Sequence, residues 1–257
     1  MKKVGIIGKG TVGKAVYEGL LYLGHEMSFF DPAYEGSVIQ DVLDTDCVFV
    51  SVPTDKKPNG DCDTSIVEKV VAELAELGYT GLVAIKSTIV PGTAARLIEE
   101  YPSLRIASVP EFLRAKTALA DFIHLHDVLV IGATTEEDYD LIEEIHGVFP
   151  RKVARVSPTE AEIVKYFNNV HHAVQVTFAN ITYEVCKGLG ADYSNVYDAI
   201  TERTCINPDY LRCNENMRGF GGHCLPKDTS AWNNLIKDLG LDFELIQSVL
   251  NDNRKFT

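Results

Sequence analysis

Two groups of residues in this 257-residue chain have types and spacing suited to chemistry. One lies near the end: Gly219-Phe220-Gly221-Gly222-His223-Cys224-Leu225-Pro226-Lys227-Asp228. Its glycines permit a tight turn or a close approach to a ligand. Pro226 suits the first turn of a helix, because it has no N–H to lose there. That reading puts Cys224 near a helix N-terminus, where backbone dipoles favour a thiolate. Asp228, four residues on, shares its helical face. A thiolate and a carboxylate facing one cavity suit covalent catalysis with a water-activating base. For the stretch taken alone, a glycine-rich turn with a buried cysteine is the plainer alternative.

The other group opens the chain. The apolar run Val4 to Ile7 leads into Gly8-Lys9-Gly10-Thr11-Val12-Gly13, and helical periodicity follows from Lys14 to Leu23. A second apolar strand, Met27 to Phe30, ends at Asp31. A strand, a G-x-G-x-x-G turn, a helix and an acidic residue in this register make a dinucleotide site. Gly8 makes the tight turn, and Gly10 brings backbone N–H groups to a pyrophosphate. Gly13 lets the helix pack on the strand, and Thr11 and Val12 complete the set. Asp31 accepts hydrogen bonds from the adenosine ribose and repels a 2′-phosphate, so NAD is expected rather than NADP.

The elements that must position these groups alternate. Apolar strands are expected at Cys47–Val52, Leu82–Thr88, Arg105–Val109, Asp127–Ile131 and Val153–Val156. Helices are expected at Thr64–Leu77, from Val90-Pro91-Gly92-Thr93 onward, and at Glu136–Val148, with a polar loop over Pro53–Cys62. Repeated βα units imply an α/β fold, a doubly wound parallel sheet of Rossmann type over residues 1–157. Ligands bind outside the carboxyl ends of such strands. Ser51, Thr88 and Glu111 fall there, though each singly suits a cap or a loop equally well. Residues 158–257 read as an all-helical domain. Ser157-Pro158-Thr159-Glu160 starts a helix with a capping box. No breaker follows until Gly188, which gives a spine of about 30 residues, roughly 45 Å. Apolar Ile163, Val164, Phe167, Val170, Val174 and Phe178 recur near helical spacing, so a homodimer through this helix is expected; a stripe wholly buried within the chain is the alternative. Lys165 and Asn169 share a face, where solvated surface is the plain reading. His171 and His172 read as structural. Shorter helices are expected at Ser194–Thr204, Lys227–Leu239 and Phe243–Asn253.

Composition narrows the classes. The net charge of −13, from 24 basic and 37 acidic residues, argues against a nucleic-acid partner. No apolar run approaches the roughly 18 residues of a membrane span. The chain enters a strand at once, so no signal segment is expected, and the location expected is cytoplasmic. Cysteines 47, 62, 186, 205, 213 and 224 show no C-x-x-C pair and no tight His/Cys cluster. Free thiols and no metal site are expected.

Taken together, these residues resemble the UDP-glucose/GDP-mannose dehydrogenase family. The carriers are the glycine turn, Val52-Pro53-Thr54, Lys86-Ser87-Thr88-Ile89-Val90-Pro91-Gly92-Thr93, Pro110-Glu111-Phe112-Leu113-Arg114, Ala161 to Asn169, and Gly219 to Asp228. The resemblance implies oxidation of a sugar-nucleotide primary alcohol to a carboxylate, with two NAD molecules reduced. It implies that Cys224 forms a thiohemiacetal and then a thioester, and that Lys165 and Asn169 stabilise negative charge on substrate oxygen. It further implies that Asp228, Thr88 and Glu111 hold and activate water. Val52, Pro53, Thr54, Ser87 and Thr88 would line the cofactor, while Glu111, Phe112, Leu113, Arg114 and the loop Gly219, Phe220, Gly221, Gly222 would contact the sugar nucleotide. Two features depart from the pattern. Ala115 stands where the family usually has a second glutamate, and the chain stops at Thr257, where members usually continue into a second α/β domain. UDP-glucose is the expected substrate. The alternatives are a β-hydroxyacid dehydrogenase, which needs no cysteine, and a catalytically silent NAD-binding subunit.

Overall fold

The computed structural model describes residues 1–256. The chain divides into two compact units, one of residues 1–55 and 63–165, the other of residues 56–62 and 166–257.

The first unit is an α/β layer structure. Its strands are β1 (Lys3–Ile7), β2 (Glu26–Phe30), β3 (Cys47–Val50), β4 (Leu82–Ile85), β5 (Arg105–Ser108), β6 (Leu129–Gly132) and β7 (Val153–Val156). They form one sheet in the order β2-β1-β3-β4-β5-β6-β7. The connecting helices are α1 (Thr11–Tyr22), α2 (Ser65–Glu76), α3 (Thr93–Glu100), α4 (Ala118–His124) and α5 (Glu136–His146). Strand residues alternate between two cores, as a period of two requires. Val4, Ile6, Cys47 and Phe49 pack with Leu20 of α1, Phe122 of α4 and Ile142 of α5. Ile7, Val48 and Val50 pack with Val67 and Leu74 of α2 and Leu97 of α3. With apolar contacts on both faces, these strands read as continuous apolar runs in sequence.

Two features differ from the sequence expectation. Strands β1 to β5 are parallel, but β6 meets β5 antiparallel at Ser108 and Gly132, and β7 follows β6 in parallel. The reason lies in the segment between β5 and β6. It forms α4, which packs on α1: a Cβ on Gly19 would come within 2.4 Å of the Phe122 ring. Apolar periodicity did not reveal so short a helix, because its seven residues carry barely two turns.

The last helix to start in this unit, α6 (Pro158–Leu189), runs for 32 residues, and its part beyond Lys165 belongs to the second unit. The second unit adds α7 (Tyr193–Thr201), α8 (Cys224–Asp238) and α9 (Leu245–Asn253). Helix α8 starts at Cys224, three residues before the expected Lys227, with Pro226 accommodated in its first turn. Helix α7 ends at Thr201, short of the expected Thr204. On α6, Phe167, Phe178, Ile181 and Val185 are exposed, whereas Val170 is buried and so leaves the expected outward stripe. No helix among the described residues is long and apolar enough to cross a membrane.

Candidate functional site

In the first unit, β1 hands the chain to α1 through the glycine turn. Gly8 adopts a left-handed φ of 87°, and a Cβ there would meet the Ser51 carbonyl at 2.6 Å. A Cβ on Gly13 would lie 1.9 Å from the Gly8 carbonyl oxygen, so only glycine lets α1 pack so closely. Gly10 is different. A Cβ there would meet nothing within 4 Å, so the fold does not demand glycine at that point. Gly10 caps α1 without a side-chain hydrogen bond, and the first turn carries no acidic residue. The result is an uncovered helix N-terminus, suited to a diphosphate. At the end of β2, Asp31 accepts hydrogen bonds from the Lys9 N–H at 2.7 Å and the Ala33 N–H at 2.9 Å. The carboxylate is thereby fixed in orientation. These residues fit an NAD molecule: an open backbone cradle and a pinned ribose acceptor.

The other expected cofactor residues follow β3 and β4. Val52 is half-buried against the core, Pro53 is exposed and Thr54 is buried. The Ser87 hydroxyl donates to the Val52 carbonyl at 2.7 Å and so ties the two strand ends together. Thr88 is half-buried just beyond it.

Beyond β5 stands Glu111, buried with Lys86. The Lys86 Nζ lies 3.0 Å from Oε2, and the Phe112 N–H donates to Oε1 at 3.0 Å. Burial pushes the Glu111 pKa up, but the charge of Lys86, helped by His126 and these hydrogen bonds, holds it below the ordinary value. The Lys165 Nζ donates to the Glu111 carbonyl and lies 5.2 Å from the Phe112 ring centroid. Leu113 packs on the core. The Arg114 guanidinium forks onto both oxygens of Asp121 in α4, at 2.9 and 2.8 Å. Its hydrogen bonds hold the Asp121 pKa down at about 2. One turn before Lys165, buried Glu162 accepts from the N–H groups of Gly92 and Ala94, at 2.5 and 2.8 Å, and so caps α3.

In the second unit, Cys224 is the exposed first residue of α8, and Asp228 is buried one turn later. The Asn169 Nδ2 donates to Asp228 Oδ2 at 2.5 Å. Oδ1 forms an ion pair with the Lys227 Nζ at 2.6 Å. The same ammonium contacts the Cys62 thiol at 3.6 Å. Burial pulls the Lys227 pKa down, but Asp228 and Cys62 outweigh it and leave the pKa above the ordinary value. Segment 56–62 is held on α8 by Asn234, which bonds the Asn59 carbonyl and Asp61. The glycine loop is pinned at one end. Asn253 of α9 exchanges two hydrogen bonds with the Phe220 backbone, at 2.7 and 2.8 Å, and the Gly219 N–H donates to Asn180. At Gly221 and Gly222 a Cβ would meet nothing, so the loop is open there.

Each unit thus gathers its own subset of the expected residues. Glu111 and Lys165 meet in the first, Asn169 and Asp228 in the second. Lys86, Lys227, Cys62 and Glu162 were not singled out as functional residues from sequence. Lys86 did leave a signal, a cation closing the otherwise apolar run Leu82–Ile85.

Residues 33–150 match the family model described as UDP-glucose/GDP-mannose dehydrogenase family, NAD binding domain, and residues 159–255 match that family's central domain. The chain is 31% identical over 241 residues to a UDP-glucose 6-dehydrogenase of Rickettsia bellii, covering 91% of this chain and 54% of that one. It is 33% identical over 226 residues to a GDP-mannose 6-dehydrogenase of Pseudomonas aeruginosa, covering 82% of this chain and 51% of that one. The chain therefore spans about half the length of these two relatives. Its fold superposes on a UDP-glucose dehydrogenase of the archaeon Pyrobaculum islandicum with a TM-score of 0.89 at 30% identity, covering 99% of this chain and 68% of the other. By these matches the chain belongs to the UDP-glucose/GDP-mannose dehydrogenase family, with the NAD-binding domain of that family followed by its central domain.

Proposed function

We propose that the protein is an NAD-dependent nucleotide-sugar 6-dehydrogenase that oxidises the primary alcohol of a UDP-sugar, UDP-glucose foremost, to a uronic acid. The observation that carries this reading is the buried Asp228. It is locked by Asn169 and Lys227 one helical turn from the exposed Cys224. A thiol at a helix start and a carboxylate held in place beside it suit acyl transfer to water better than a single alcohol oxidation.

NAD, when bound, accepts the two hydrides, one molecule for each oxidation. The rest of the chemistry falls to the chain. Cys224 Sγ adds to the aldehyde carbon and gives a thiohemiacetal; loss of the second hydride from that carbon leaves a thioester. Asp228 orients the water that breaks the carbon–sulfur bond and restores the thiol. One Asn169 Nδ2 hydrogen is on Asp228, so the other remains for the substrate oxyanion. Lys165 is assigned the supply of positive charge to substrate oxygen. Ionised Glu111 is assigned to the water with Thr88, and the Phe112 to Arg114 backbone and the Gly219–Gly222 loop to the sugar nucleotide. Residues 1–157 serve as the cofactor domain and residues 158–257 as the catalytic one. The exposed stripe of Phe167, Phe178, Ile181 and Val185 on α6 supports a homodimer, and a monomeric mass by light scattering would end that part of the proposal.

The test is NADH formation by the native protein with UDP-glucose, GDP-mannose and UDP-N-acetyl sugars. Two NADH per sugar with a uronate product is the expected result. One NADH per substrate without an acid product points to a hydroxyacid-type dehydrogenase. Tight NAD binding without turnover on any of the sugars points to a silent subunit.

A further inference from the structure

The side chain between the first two glycines of the turn has no role in the chemistry above. The Lys9 Nζ stands 3.6 Å from the Phe29 ring centroid and 3.7 Å from that of Tyr17, with Tyr34 at 5.8 Å. The three rings come from α1, β2 and the turn after β2, and they meet edge to face. No carboxylate pairs with this ammonium among the described residues. Glu18, the acid that most affects it, pairs with Lys14 at 3.8 Å instead. Partial burial pulls the Lys9 pKa below its ordinary value. A cation on π faces is partly compensated, but a half-buried charge without a counter-ion keeps its affinity for an anion.

The position suggests which anion. The Lys9 N–H is bonded to the Asp31 carboxylate, and two of the three rings around the ammonium, Phe29 and Tyr34, flank Asp31 in sequence. The charge therefore lies at the end of β2, on the ribose side of the cradle.

We propose that Lys9 is the cation of a latent 2′-phosphate subsite, so that the preference for NAD over NADP is a balance between Asp31, which repels that phosphate, and Lys9, which attracts it. This rests on the reading above in which the glycine turn and Asp31 hold the adenosine end of the cofactor. Neutralising Asp31 is then sufficient to admit NADP, because the counter-charge is already in place. The diphosphate is the other anion within the cofactor. It is common to NAD and NADP, so a role there would affect both alike.

Calorimetry with NAD and NADP separates these cases, using the wild type, Lys9→Met, Lys9→Arg, Asp31→Asn and the double variant Lys9→Met/Asp31→Asn. Methionine keeps an apolar stem on the rings, and thermal denaturation checks that each variant is folded. Asp31→Asn is expected to tighten NADP about tenfold, and adding Lys9→Met to remove about fivefold of that gain. Lys9→Met alone should leave NAD within about twofold, because NAD has no 2′-phosphate for this charge to meet. Lys9→Arg should retain NADP affinity. The same pattern should appear with 2′,5′-ADP against AMP, which isolates the 2′-phosphate. Equal losses for NAD and NADP in Lys9→Met, or full NADP affinity in the double variant, overturn the proposal. If Asp31→Asn alters neither cofactor, the ribose placement itself fails and the inference falls with it, a result distinct from the other two.

Discussion

The start of α1 offers a ligand backbone; the start of α8 offers it side chains. The first site is made by leaving atoms out, with Gly10 open to solvent and Gly8 and Gly13 closing the turn behind it. The second is made by crowding polar groups, with Asn169, Asp228, Lys227 and Cys62 linked in that order by successive contacts. Both units also bury one lysine–carboxylate pair. In the first, Lys86 and Glu111 are 25 residues apart and joined by the sheet. In the second, Lys227 and Asp228 are neighbours on one helix. A backbone site depends on local geometry and tolerates changes in distant side chains. A side-chain site depends on every member of the cluster. Under the proposed mechanism the difference suits a cofactor that arrives and leaves unchanged in its adenosine part, against a substrate bonded covalently and then released.

The largest expected effect separates the two sites outright. Cys224→Ser should lower NADH turnover by about 10³-fold or more, because an alkoxide forms less readily and leaves less readily than a thiolate. NAD affinity should stay within twofold, and stability within about 0.5 kcal/mol, since the residue is exposed. With Asp228→Asn, a substrate adduct on Cys224 should accumulate and be visible in the intact mass. Full turnover by Cys224→Ser would refute the covalent mechanism.

Next come the buried pairs. Lys86→Met should destabilise the protein by about 3–5 kcal/mol in urea denaturation, since it leaves Glu111 buried without its cation. Lys86→Met/Glu111→Leu should recover most of that loss. The two pairs also fail at opposite ends of the pH scale. The folded Glu111 pKa lies below its ordinary 4.5, so its contribution is present above that value and is lost as pH falls through the folded pKa. The folded Lys227 pKa lies above its ordinary 10.5, so its contribution is present below that value and is lost as pH rises through the folded pKa. Lys86→Met/Glu111→Leu should flatten the acid limb and leave the alkaline limb as it was.

What could be read from sequence follows the same division. The glycine turn, the order of the strands and the length of α6 are carried by periodicity, glycine spacing and a capping box, and the structure places them as read, although β3 and β4 stop at Val50 and Ile85, short of the expected Val52 and Thr88. Cys224 and Asp228 were legible because helical spacing alone relates them. The buried partners were not. Nothing local connects Lys86 to Glu111, or Cys62 to Lys227 across 165 residues; only the fold does. The reversal of β6 was hidden for the same reason: strand direction is set by how the preceding segment packs, here α4 on α1.

A third expectation concerns the joint between α3 and α6. Glu162 is buried, and burial outweighs its two backbone hydrogen bonds, so its pKa is pushed up to about 7. The folded protein then binds a proton that the unfolded chain has released. Stability should fall by about 3 kcal/mol as pH rises from 4.5 to 7. Glu162→Gln should remove this slope. It should also cost about 1–2 kcal/mol at pH 4.5, because one amide N–H would face a backbone N–H. Melting curves across this window test both, and an unchanged slope in the glutamine variant would assign the titration elsewhere.

The smallest change probes the contrast between backbone and side-chain sites most directly. Gly10 has a φ of −73° and an extended ψ, a conformation open to alanine, and a Cβ there would touch nothing. Gly10→Ala should therefore cost less than about 1 kcal/mol of stability, the usual loss when alanine replaces a good N-cap residue. Its methyl group would nevertheless stand at the mouth of the cradle, where the diphosphate must approach the backbone. NAD affinity should fall about tenfold or more, or about 1.4 kcal/mol. Turnover at saturating NAD should be nearly restored, because the cluster around Cys224 is untouched. Gly13→Ala provides the control, since its Cβ would lie 1.9 Å from the Gly8 carbonyl and must disturb the fold itself. If Gly10→Ala instead lowers stability as much as Gly13→Ala, the glycine serves the turn rather than the ligand. If it lowers neither stability nor NAD affinity, the cofactor does not approach the chain at this point.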